Sequence, residues 1–90
     1  MSNPNAQKLT VRLEHPVQLA DRLLTEVILR RMTVGDMIDI PIPQTGDVAA
    51  MTRMIARLAN LSPEDIRELD VSDFIKVNEE VNRFLGVTSN

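Results

Sequence analysis

His15 is the only histidine in the chain, and there is no cysteine, so thiolate nucleophiles, disulfides and thiolate metal sites are excluded. An acid–base enzyme needs titratable groups held in a cleft and displaced from their ordinary pKa values. A single imidazole beside Pro16 reads instead as a turn residue, and it cannot make a metal site alone. Glu64, Asp65, Glu68, Asp70 and Asp73 form an acidic set, but the set lacks the sharp-turn glycine and terminal glutamate of a calcium-binding loop. Helix capping accounts for these acids better. Gly35, Gly46 and Gly86 are too dispersed for a phosphate-binding loop. The expectation is a protein with no catalytic residues, no metal and no cofactor.

What remains is the chemistry of contact. Among Met32, Met37, Met51 and Met54, the sequence pattern puts Met51 in a core stripe and Met54 at its flank. Met37 falls in a helix too short to bury every apolar residue it carries. Exposed, flexible methionines suit a surface that packs against variable apolar partners. Gap-filling is the competing reading, in a core whose only aromatics are Phe74 and Phe84. The expected partner surface is Met37, Ile40, Ile42 and Met54, with Arg30 and Arg31 as its charged margin.

These residues must be positioned by few elements. Leu9, Val11 and Leu13 alternate with Lys8, Thr10, Arg12 and Glu14, the period of a half-buried strand over 8–14. His15-Pro16 is expected to end it, because proline donates nothing to a ladder and restricts the residue before it. The run Leu24 to Arg31 alternates again and predicts a second strand, joined to the first by a loose loop of about eight residues. Two strands are marginal in water unless helices cover one face.

Thr33 followed by Asp36 has the spacing of a helix cap, predicting a short helix over 34–39. Pro41 and Pro43 make 40–46 an exposed connector. Val48, Met51, Ile55 and Leu58, with Ala59 beside them, predict an amphipathic helix over 47–60. Ser62-Pro63-Glu64-Asp65 starts a helix over 63–69 that buries Ile66 and Leu69. A last helix follows from Asp70, with Phe74, Val77, Val81, Phe84 and Leu85 as its stripe and Gly86 as its stop. The fold class is therefore α+β: an N-terminal β-hairpin followed by a small helical unit of three to four helices. A single domain is expected over 8–86, with a disordered 1–7 and a frayed 87–90.

Composition narrows the function further. A chain this short removes only roughly 60 to 65% of its unfolded surface from water, so the core is small. The net charge is −3 and lies in the second half, since residues 47–90 carry eight acidic groups against five basic. A nucleic-acid binder usually advertises a basic face. The segment 55–77 echoes a helix-turn-helix, but its second helix would point Glu64, Asp65 and Glu68 at phosphates. Nucleic acid is not an expected partner, although a small DNA-binding regulator is the alternative from another class. The start, MSNPNAQK, has no apolar stretch like that of a signal peptide, and no run approaches the roughly 18 apolar residues of a spanning helix. No membrane partner is expected, and the cytoplasm is the expected compartment.

Three blocks, Leu13 to Val17 (LEHPV), Thr25 to Asp36 (TEVILRRMTVGD) and Ile55 to Phe74 (IARLANLSPEDIRELDVSDF), occur here in order. In that order and spacing the sequence resembles the tail assembly chaperones of Mu-like and P2-like phages, over about residues 9 to 85. The resemblance implies a non-enzymatic protein acting in the host cytoplasm during virion assembly, from a phage or prophage, and absent from the finished tail. It implies the phage tape measure protein as partner, kept soluble while tail tube subunits polymerise around it. Family members are often also made in a longer, frameshifted form, which would be a further partner. Assembly of the chain with itself into rings or spirals is compatible with coating a client, and also with the other alternative, a structural tail subunit. The family motif assigns no functional residue.

Overall fold

A computed structural model describes residues 8–41 and 47–85, with the backbone alone at 84 and 85. The expectations for 1–7, for most of the 40–46 connector including Ile42, for Gly86, for 87–90 and for the side chains of Phe84 and Leu85 fall outside the described residues. Strands β1 (Leu9–Gln18) and β2 (Leu23–Leu29) form an antiparallel two-stranded sheet. Helices α1 (Val34–Asp39), α2 (Val48–Ala59), α3 (Pro63–Arg67) and α4 (Val71–Leu85) follow it. The architecture is the expected α+β, a hairpin and then four helices.

Strand β2 ends at Leu29, two residues short of the expected Arg31, and the hairpin differs from expectation in two further ways. Strand β1 runs on through His15 and Pro16, and the loop to β2 is only Leu19 to Arg22, closed by the Leu19 N–H donating to the Arg22 carbonyl at 2.8 Å. Proline is tolerated because the ladder is interrupted there. Arg12 pairs with Glu26, but the next pairs are Val17 with Leu24 and Gln18 with Leu23. Four residues of β1 thus stand opposite one of β2. This excess of three flips the inward parity of one strand, because side chains alternate with period two. Val27 and Leu29 face the core on one side of the irregularity, and Leu24 does so on the other.

The amides freed by the irregularity are satisfied from a distance. Asp73 in the first turn of α4 is 1% exposed, and its two carboxylate oxygens accept the backbone N–H groups of Glu14 (3.0 Å) and His15 (2.9 Å). A buried carboxylate is stable when its lone pairs are met by donors, and a buried amide must likewise find an acceptor. Asp73 therefore fastens β1 to α4. His15 is an exposed strand residue rather than a turn residue.

Helix α2 is the central element, packing against α3, β2 and α4, while α4 also covers β1. Asp47 caps its start by accepting the Ala50 N–H at 2.9 Å. Asn60 ends it in the left-handed region at φ 59°, which lets the Leu61 N–H reach back to the Ala56 carbonyl. The Arg30 N–H donates to the Leu58 carbonyl at 3.2 Å and pins the end of β2 to the end of α2. Leu29, Met54, Ile55, Ile66, Val27, Val77 and Val81 are the largest apolar side chains sealed in the core. Met54 is on the α2 core stripe with Met51, Ile55 and Leu58, whereas Val48, expected in the stripe, lies exposed in the first turn. Helix α3 ends at Arg67, two residues short of expectation, with Ile66 and Leu69 buried as predicted.

Candidate functional site

Helix α1 is inverted with respect to the usual amphipathic arrangement. At 100° per residue, Val34, Met37 and Ile38 fall on one face and Asp36 on the other. The apolar face is the one in solvent: Val34 is 73% exposed, Met37 46% and Ile38 71%. The buried face is Asp36, 1% exposed, and it is the one buried residue of the helix.

That carboxylate is enclosed by donors. Arg30 approaches in the two-toothed manner, Nη1 to Oδ2 at 2.8 Å and Nη2 to Oδ1 at 2.9 Å. Arg57 of α2 donates from Nε to Oδ1 at 2.6 Å and from Nη2 to Asp39 Oδ2 at 2.7 Å. The Thr33 N–H donates to Oδ2 at 2.8 Å, and the Thr33 hydroxyl accepts the Asp36 N–H at 3.2 Å, closing a reciprocal capping box with Asp in the position usually held by Glu or Gln. Hydrogen bonds from Arg30, opposed by burial and reinforced by Thr33 and Arg57, hold the Asp36 carboxyl far below the usual carboxylate range. The same contacts raise the pKa values of Arg30 and Arg57. Asp36 therefore stays ionised throughout the physiological range, and its role is to hold α1 in place with its apolar face turned outward.

Beside this brace lies an open trough of about 470 Å³. Its apolar lining is Ile28, Leu58 and Ala59, and Asn60 lines it as well. Its charged lining is cationic: Lys8, Arg30 and Arg57. Both arginine side chains remain about two-fifths exposed while gripping Asp36, and both line the trough.

The expected partner surface is only partly assembled. Met37 is half-exposed on α1. Ile40, just past α1, is half-buried and packs against the core. Ile42 lies outside the described residues. Met54, expected at the flank of the α2 stripe, is instead buried in the core at 0% exposed. Arg31 is exposed, whereas Arg30 is committed to Asp36. Val34, Ile38 and Ile28, which sequence reasoning did not assign to the site, supply more exposed apolar surface than Ile40 or Met54. The signal was present in the spacing of Val34, Met37 and Ile38 about the capping Asp36.

The acidic set is used structurally. Asp65 forms a capping box with Ser62, Asp70 accepts both the N–H and the hydroxyl of Ser72, and Asp73 holds β1. Among the described residues no group of three or more His, Asp or Glu side chains could hold a metal ion, and no helix is long and apolar enough to cross a membrane. Helix α3, where a helix-turn-helix would place its reading surface, is five residues long and turns Glu64 outward.

The chain is a small α+β domain that turns apolar side chains to solvent and a carboxylate to its core. The sequence matches, over residues 10–86, the family described as phage tail assembly chaperone proteins, E, or 41 or 14, and the chain belongs to that family. It is thus a non-enzymatic phage tail assembly chaperone. No curated protein and no solved structure matches it.

Proposed function

We propose that this chaperone binds the phage tape measure protein in the host cytoplasm and keeps it soluble while the tail tube assembles. The observation that carries the reading is the outward face of α1. Exposing Val34, Met37 and Ile38 together costs contact with water that a monomer normally avoids, and an apolar partner helix would relieve it. The brace at Asp36 holds that face rigidly, which lowers the ordering cost of binding. A long client with repeated apolar helical stretches would be coated by many copies, each binding weakly enough to be displaced by tube subunits.

Co-expression with the tape measure protein of the same phage tests this. The client should become soluble and co-purify with the chain, and Val34→Ser with Met37→Ser and Ile38→Ser should return it to the pellet while the chaperone itself stays folded. A client that remains insoluble with this chain and with its longer frameshifted form would overturn the reading.

A further inference from the structure

We propose that the trough beside α1 selects client segments by charge, taking apolar helices flanked by Asp or Glu; this rests on the chaperone reading above. The trough offers two complementary features. Ile28, Leu58 and Ala59 supply an apolar lining for aliphatic side chains, and a volume of about 470 Å³ is within the roughly 300–1,000 Å³ of ordinary binding pockets.

The rim fixes the sign of what accompanies them. Lys8, Arg30 and Arg57 line the trough, and Arg30 and Arg57 are paired with Asp36 and Asp39, which leaves a local surplus of one positive charge, carried by Lys8, in a chain whose net charge is −3. Asp36 is buried, and its charge is offset by the Arg30 and Arg57 pairs. Lys8 is exposed, with no carboxylate within salt-bridge distance among the described residues. A partner helix that places an aliphatic residue on the apolar lining carries its flanking residues, three or four positions away, toward this rim. Carboxylates there gain charge-assisted hydrogen bonds, whereas lysines meet like charge. The net charge of −3 disfavours non-specific binding of the same acidic helix to the rest of the chain.

The test uses the full chain and two fluorescently labelled helical peptides of about 20 residues. Both carry Leu and Met at positions i, i+3, i+4 and i+7, one with Glu on the flanks and one with Lys. In about 50 mM salt the Glu-flanked peptide should bind at least about tenfold more tightly than the Lys-flanked one, and the preference should fade by about 0.5 M as screening shortens. Lys8→Glu should weaken the Glu-flanked peptide about three- to tenfold and spare the Lys-flanked peptide. Ile28→Ser should weaken both. Neither residue holds the brace, so both variants should keep the wild-type circular dichroism spectrum. Equal binding of the two peptides, or affinities unchanged by both substitutions, would overturn the proposal. So would a wild-type dimer that Lys8→Glu dissociates, which would assign the trough to a second copy. Co-expression separates the two readings. If Lys8→Glu, Ile28→Ser still solubilises the tape measure protein as well as wild type, the trough is wrong and the chaperone stands. If wild type fails to solubilise it, the chaperone reading itself fails.

Discussion

Replacing Asp36 with alanine removes the anion on which α1 depends. The capping box contributes about 1 kcal/mol. The two arginine pairs would each contribute more if sealed, but both arginine side chains are about two-fifths exposed and rehydrate on release, so about 0.5–1 kcal/mol per pair is the appropriate scale. The total is about 2–3 kcal/mol, which in a domain of this size lowers the Tm by roughly 10–20 °C. Asp36→Asn keeps the volume and an acceptor for Thr33, and should lose about 1–2 kcal/mol. Urea denaturation followed by far-UV circular dichroism reads both. The sign with pH is also fixed. A carboxyl whose folded pKa lies below its unfolded value of about 3.9 contributes fully above about pH 5, and the contribution drains away as pH falls below 4. The gap between wild type and Asp36→Asn should therefore be level from pH 5 to 8 and close in acid. Asp36→Ala within about 0.5 kcal/mol of wild type would refute the brace. So would full additivity of Asp36→Ala with Arg57→Gln, since residues that share a bond should couple.

Asp73→Ala should cost about 2–3 kcal/mol by stranding the amides of Glu14 and His15, and hydrogen exchange should show those two amides losing protection first. Met54→Ala should cost about 2–5 kcal/mol in a urea melt, while Met37→Ser should stay within about 0.5 kcal/mol, because only the first opens a core cavity. Asn60→Val should lose about 1–2 kcal/mol and Asn60→Gly almost nothing, measured the same way, since φ at this position is 59°.

Capping and period made much of the fold legible. Thr33 with Asp36, and Ser62 with Asp65, placed the starts of α1 and α3 at their observed residues because a cap is a local event. The path of β1 through Pro16 was not legible, because it depends on an acceptor 58 residues away at Asp73 and on a register irregularity that spares proline from the ladder. Met54 was misplaced for a different reason. Taking Val48 as part of the α2 stripe rotated the expected face, whereas the buried residues, Ala50, Met51, Met54, Ile55, Ala56 and Leu58, leave Val48 out. For α1 the apolar spacing was plain, but its outward orientation follows from Arg57, 21 residues beyond Asp36, which no local pattern contains.

Because α1 is fastened by charge and its apolar face is already wet, releasing it exposes little new apolar surface. Such an opening carries a heat-capacity change and a urea dependence near zero, unlike the cooperative loss of the α2 and α4 core. Native-state exchange should then show α1 amides on a flat branch, indifferent to urea yet responsive to salt. The brace that keeps the α1 face rigid at ordinary ionic strength is thereby also the contact that salt would loosen first, while the body stays folded.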